Sequence, residues 1–208
     1  LTAAQAQTLI AVREASGVLI QEAFVVRTHP QWLRARELIR GGRIGTLRAL
    51  NCVFSEINDD PANIVNNPEF GGGGIYDLGC SPVTLARFLF EAEPTRAIAL
   101  TDIDPSFGVD RLAACILEFE TGLANFVCSP QLVLQHEFQI YGTAGRIEMV
   151  SPFNPPPAEP ARIRVDDGSK LAGASAVTET VAAVEQYGLE FAAFSSAIRE
   201  GGGQAISL

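Results

Sequence analysis

Apolar positions along this chain fall into two textures that meet near residue 42. Residues 2–16 read as a helix: Thr2 supplies an N-cap oxygen, alanines fill the body, and Gly17 suits the left-handed position after the last turn. The run VLIQEAFVV (18–26) follows directly and is apolar on both faces, the pattern of a strand buried on both sides. Pro30 then suits a first helical position, and Trp32, Ala35 and Ile39 share one helical face before Gly41 and Gly42. From there strand-length runs take over: 47–57, 96–102, 111–120, 122–129, 134–142 and 146–150. Thr121-Gly122 and GTAG at 142–145 are hairpin signals, so the short links predict an antiparallel meander.

The alternation says which faces need cover. In LQHEFQIYG, Leu134, Phe138 and Ile140 share one face. RLAACILEFE is apolar on both: Leu112, Ala114 and Ile116 point one way, and Ala113, Cys115, Leu117 and Phe119 the other. Helices predicted over 75–90 and 183–200 cover one side, the second with a stripe of Tyr187, Phe191, Phe194 and Ile198. A second copy of the chain is the simplest cover for the other side. Five prolines in SPFNPPPAEPAR (151–162) predict a stiff irregular loop. The expected fold class is α+β, an open and mainly antiparallel sheet of about six strands with helices on one face.

Composition narrows the function classes. A 208-residue chain, 47% hydrophobic, is long enough for a sizeable core. Its net charge of −9 repels phosphate backbones and argues against nucleic acid, and no apolar run is long enough to span a bilayer. Cys52, Cys80, Cys115 and Cys128 lie far apart with no C-x-x-C pair, which favours reduced core thiols and a cytoplasmic setting. Met149 is the sole methionine, and QAISL opens a new apolar segment after Gly201–Gly203, so both ends look cut.

Several sites are excluded by spacing. No G-x-G-x-x-G, Walker sequence or G-x-S-x-G elbow occurs, and two histidines, His29 and His136, are too few for a histidine-rich metal centre. What remains is a small polar set. RTHPQ (27–31) closes the apolar run 18–26, placing Arg27 and His29 either where open α/β sheets contact ligands or merely at a strand end before a helix. Four glycines, Gly71–Gly74, precede Asp77. Its carboxylate either answers a helix dipole or, beside backbone bare enough for close approach, accepts hydrogen bonds from substrate hydroxyls. The helix start is open too: Ser81-Pro82 as cap and first turn, or a start near Gly74 with strain at Pro82.

EAFVVRTHPQW, ELIRGGRIGTLRAL, FGGGGIYDLGCSPVTLARFLFEAEP, FQIYGTAGRIEM and VEQYGLEFAAFSSAIREG together resemble the glucose–fructose oxidoreductase/inositol dehydrogenase (Gfo/Idh/MocA) family, most of all its sugar- and dihydrodiol-dehydrogenase branch. The resemblance implies that 1–28 are the last helix and strand of a Rossmann domain otherwise missing. Residues 29–208 would then be the substrate-binding and dimerisation domain, with a dihydrodipicolinate-reductase-like sheet. It implies NAD or NADP in the parent protein, none bound by this chain alone, and no metal. It further implies a sugar, polyol or diol substrate, a homodimer or higher assembly through the sheet face, and no membrane partner. The family's catalytic lysine, in a Glu-Lys-Pro motif ahead of the first helix, has no counterpart in these residues, so the isolated chain is expected to be inactive. By the same resemblance Asp77 and Ser81 hold the catalytic positions. Arg27, His29, Gly74 and Asp77 line the substrate cleft, and Arg27 also faces the cofactor. Ser81 stands where the family carries tyrosine or histidine, and its hydroxyl does not titrate near neutrality. A non-catalytic ligand sensor and a plain dimerisation module are the alternatives.

Overall fold

The computed structural model describes residues 2–200. In chain order the elements are α1 (Ala3–Ser16), α2 (Pro30–Arg40), β1 (Leu47–Ile57), α3 (Cys80–Phe90), β2 (Arg96–Ile103), β3 (Asp110–Phe119), β4 (Gly122–Ser129), β5 (Gln131–Gly142), β6 (Arg146–Met149), β7 (Ala161–Asp166), β8 (Val177–Val181) and α4 (Gln186–Arg199). All eight strands join one open sheet, ordered β2-β3-β4-β1-β5-β6-β7-β8. The α+β class and mainly antiparallel sheet are as expected, with two strands more than the sequence suggested.

The pure meander is corrected at one point. β4 and β5 are linked by Pro130 alone, yet they do not pair. β1 lies between them, parallel to β4, with Val53 opposite Val127, and antiparallel to β5, with Val53 opposite Glu137. The chain arches over the end of β1, where Asn58 N–H donates to the Pro130 carbonyl at 2.8 Å. A one-residue link enforces reversal of direction, not adjacency. The Pro-rich segment is irregular as far as residue 160, and β7 begins at Ala161 inside the predicted loop.

One face of the sheet forms the core. Leu50, Cys52 and Phe54 of β1, Ala113, Cys115, Leu117 and Phe119 of β3, and Phe138 and Ile140 of β5 are buried against α2 and α3. Trp32 anchors this layer at 0% exposure, its ring edge-on to Phe138 at 4.9 Å and its Nε1–H donating to the Pro152 carbonyl at 2.9 Å. Leu134, expected beside Phe138, is exposed instead, because β5 continues past the covering helices. Cys52, Cys115 and Cys128 are buried free thiols and Cys80 is half-buried.

Among the described residues nothing covers the opposite face. Ile116 of β3 and Leu123 of β4 lie on it, and neighbouring β2 is exposed at all eight residues. The two-sided apolar pattern of β3 thus has cover on one side only among the described residues.

Two expectations near the ends are corrected. Residues 18–24 form no strand, because no neighbouring strand among the described residues offers them a ladder; a short 3-10 turn, Val25–Arg27, closes the segment. The α4 stripe predicted as core faces outward, with Tyr187, Phe191 and Ile198 more than half exposed. Gln186, Glu190 and Ala197 turn inward, because α4 packs on the 25–27 turn and Gln21 donates to Glu190 at 3.2 Å. The predicted segment after Gly201–Gly203 lies outside the described residues.

Candidate functional site

The chain approaches α3 through a π-helical turn, Ile75–Gly79, that carries Asp77. The helical path begins near Gly74, not at Ser81, and the wider π winding enters α3 without needing an N–H from Pro82. Such turns recur at functional sites.

The glycines serve this turn in a way the sequence reading did not anticipate. A Cβ on Gly72 would stand 2.3 Å from the Val65 carbonyl oxygen, and one on Gly73, at φ +110°, would stand 2.1 Å from Asp110 Oδ1. Gly74 is buried, with its Cβ direction 3.1 Å from the Pro130 ring. The bare backbone is occupied by the protein's own chain. Its purpose locally is to let Asp110 reach in: Asp110 Oδ2 accepts the Ile75 N–H at 2.7 Å and so caps the turn.

Asp77 itself sits at the surface, with no hydrogen bond to its carboxylate among the described residues. Its N–H donates to the Gly73 carbonyl at 3.0 Å, and its carbonyl accepts the Cys80 thiol at 3.5 Å. Surrounding protein and then the neighbouring Glu56 carboxylate raise its pKa above the ordinary carboxylate range. An acid that is unpaired, partly desolvated and rigidly mounted is poised to accept a hydrogen bond or hold a proton. Ser81 lies four residues on, so the two side chains share one helical face.

Arg27 lies elsewhere. It closes the 25–27 turn and lines a cavity of about 500 Å³ with Thr84, Arg87, Phe88, Glu91 and Glu93. Burial, then Arg87 and Arg36, lower its pKa. Ten residues of helical path separate Asp77 from Arg87, about 15 Å at 1.5 Å per residue, so Arg27 and Asp77 occupy opposite ends of α3. His29 is not in a cleft at all. It is 2% exposed, its Nδ1 accepts the Gln31 N–H at 3.2 Å as the N-cap of α2, and burial lowers its pKa. The sequence could not separate a helix-capping imidazole from a ligand contact, because both end a segment just before proline.

Asp110, Glu56 and His136 were missed. Asp110 and Glu56 are remote from Asp77 in sequence, and only β-sheet register brings them near. His136 packs edge-on to Phe54 at 4.7 Å, with a buried Nε2 that has no partner among the described residues.

With this geometry in place, comparison with known proteins is decisive. Residues 32–148 match the GFO/IDH/MocA C-terminal domain. The chain belongs to the GFO/IDH/MocA family. An uncharacterized oxidoreductase of Rhizobium meliloti is 47% identical over 201 residues, covering 96% of this chain and 60% of that protein. A D-xylose 1-dehydrogenase (NADP(+)) of Haloferax volcanii is 31% identical, covering 90% of this chain and 56% of the relative. The crystal structure of a 3-ketoreductase from Actinomadura kijaniata in complex with NADP and TDP-benzene superimposes with a TM-score of 0.87 at 22% identity, over 96% of this chain and 60% of that one. That last likeness establishes the shared fold. The chain spans about 60% of the length of these GFO/IDH/MocA relatives. Among the described residues no helix is long and apolar enough to cross a membrane.

Proposed function

We propose that this chain is the substrate-binding part of a cytoplasmic NAD(P)-dependent oxidoreductase acting on a CH–OH group of a sugar, polyol or diol. The observation that carries the reading is Asp77: a surface carboxylate without a partner, raised in pKa, on a turn fixed by Asp110 and the packed glycines. Asp77 orients substrate hydroxyls and Ser81 stands beside it as a hydrogen-bonding neighbour. Gly74 shapes the turn from beneath, and Arg27 supplies a cation at the far end of α3. The relatives' printed activities, a xylose dehydrogenase and a ketoreductase bound to NADP, support this substrate and cofactor class.

The chain's own residues do not fit a whole dinucleotide. The space beside Gly72–Gly74 is filled by the Val65 carbonyl, the Asp110 carboxylate and the Pro130 ring, so they form no phosphate cradle, and Arg27 is the one residue here assigned to the cofactor side. The nicotinamide cofactor and the main acid–base group therefore belong to the remaining length that the relatives possess, and the 208-residue chain alone is expected to be inactive. The bare apolar face of β3 and β4 supports dimerisation through the sheet face.

The test is Asp77→Asn and Asp77→Ala in the full-length parent, assayed by NAD(P)H formation over a panel of sugars and diols. Loss of kcat/KM in both is expected, and unchanged turnover in both returns Asp77 to the role of a dipole-answering surface acid. A second reading, a non-catalytic sensor, draws on Ser81, which offers no group titrating near neutrality. Tight NAD(H) binding by a parent with no turnover would support it.

A further inference from the structure

The two edges of the sheet are treated differently. β8 is five residues long, carries Glu179 mid-strand, and is tied to α2 by Arg34, whose Nε lies 2.8 Å from Glu179 Oε2. A short strand with a central charge is a protected edge. β2 has none of these devices. It is eight residues long, exposed throughout, and uncharged from Ala97 to Thr101, with Ile98 51% and Leu100 77% exposed. A long uncovered edge of this kind is a template for another strand.

The residues of β2 specify which strand. Antiparallel pairing with a second β2 about a two-fold axis perpendicular to the sheet must match residues of the same face. Centred on Ala99, it sets Arg96 opposite the partner's Asp102, Ala97 opposite the partner's Thr101 and Ile98 opposite the partner's Leu100. Moving the centre to Ile98 puts Arg96 opposite Leu100, and moving it to Leu100 puts Ile98 opposite Asp102. One register alone satisfies both charges.

Each charge also has a neighbour on β3. Arg96 Nε lies 2.7 Å from Glu118 Oε2, and Arg111 Nε lies 2.8 Å from Asp102 Oδ2. Across the junction the order becomes Glu118, Arg96, the partner's Asp102 and the partner's Arg111, alternating in sign, and two-fold symmetry repeats it at the other end. Between the two rows Ile98 and Leu100 extend the apolar strip formed on β3 by Ala114 and Ile116.

We propose that β2 is an edge-to-edge interface between two copies of this chain, joining two eight-stranded sheets into one continuous antiparallel sheet in the register centred on Ala99. This interface is distinct from face-to-face packing of the sheets and predicts a different set of sensitive residues.

The symmetry gives a sharp test by sedimentation velocity on the full chain. R96E sets two carboxylates opposite each other at both ends of its own homodimer, and D102R sets two guanidinium groups opposite each other. Each is expected to weaken the assembly roughly tenfold, since like charges directly opposite destabilise cross-strand pairs and both ends change at once. In an equimolar mixture one copy's R96E site faces the other copy's D102R site, which restores opposite charges there. The second end keeps the native Arg96 opposite the native Asp102, so the mixture should reassemble. Assembly weakened in each single variant and recovered in the mixture supports the interface. A chain that stays monomeric at all concentrations, an assembly indifferent to both variants, or a mixture that fails to recover overturns it.

Discussion

Gly73→Ala tests whether the glycine run exists to seat Asp110 under the Asp77 turn. Two penalties apply at once. The backbone at φ +110° lies where side-chain-bearing residues are strained, worth about 1–3 kcal/mol. The new Cβ would stand 2.1 Å from Asp110 Oδ1 and 3.0 Å from its Cγ, so the carboxylate must leave. Its bond to the Ile75 N–H, 2.7 Å long, then breaks, and a hydrogen bond to a charged acceptor contributes about 1.5–3 kcal/mol. The sum is roughly 2.5–6 kcal/mol, a large part of the stability of a domain this size. Urea unfolding of the chain reads it as a lowered midpoint at unchanged slope. Gly71→Ala is the internal control: its φ is +72° but nothing lies within 4 Å of the added Cβ, so only backbone strain of about 1–2 kcal/mol is expected. In the double variant Gly73→Ala/Asp110→Ala the clash has no object, and the combined loss should fall short of the sum of the two singles. Equal losses at Gly71 and Gly73, or strict additivity with Asp110→Ala, would refute the reasoning.

The remaining expectations concern titration and reactivity. Asp77 has a raised pKa, so its ionised form opposes folding; stability declines as pH rises through the window between the ordinary value and the raised one. Asp77→Asn should therefore raise the melting temperature at neutral pH, with the gain vanishing near pH ~3, where the Asp77 carboxyl is protonated in folded and unfolded chain alike. A variant less stable at neutral pH would contradict this. Burial lowers the His29 pKa, so the unfolded chain takes up its proton first and stability falls as pH drops below about 6.5. His29→Asn keeps a capping group for α2 and should flatten part of that decline, with His136, lowered by the same cause, supplying the remainder. Among the thiols, burial pushes Cys128 up to about 12 and Cys52 still further, while Cys80 is half-buried. Alkylation of the native chain mapped by mass spectrometry should modify Cys80 first; earlier labelling of Cys52 or Cys128 would contradict the packing.

Much of the sheet was legible because six strands carry period-two alternation or runs of β-formers within one stretch of chain. Helix α2 was equally plain, since Pro30, Trp32 and Ala35 mark its start and buried face. What the sequence hid is non-local. Nothing in residues 122–142 reveals that β1 slots between β4 and β5, because that insertion joins residues 74 to 95 positions apart. β7 alternates well, with Ala161, Ile163 and Val165 inward, but it follows five prolines, and its first two residues fell within the loop expected over 151–162. The α4 stripe misled for a different reason. Helical periodicity identifies an apolar face but not its neighbour, and here the neighbouring 18–27 segment presents Gln21 and Arg27, which draw in Glu190 rather than Phe191. At the candidate site, the glycines before Asp77 singled it out in the sequence, whereas its support from Asp110 required the fold.

The support has a consequence for how the site can tolerate change. Asp77 is desolvated and near Glu56, so mounting it there works against stability, and the turn holds only because other residues offset that strain. Those residues are interlocked: Gly72 fits against the Val65 carbonyl, Gly73 admits Asp110, Gly74 meets Pro130 at the arch between β4 and β5, and Gly79 lies 3.1 Å from Cys128 Sγ at its Cβ position. The backbone of the turn is thus fixed against its surroundings by the Val65 carbonyl, the Asp110 carboxylate, the Pro130 ring and the Cys128 thiol. A residue whose backbone is fixed in this manner can present its carboxylate to a ligand with little ordering of the main chain on binding, which is the physical advantage of placing a lone acid on a rigid turn. It also means that substitutions beneath the turn should depress ligand affinity and stability together. Substitution at Asp77 should separate them, lowering affinity while raising stability.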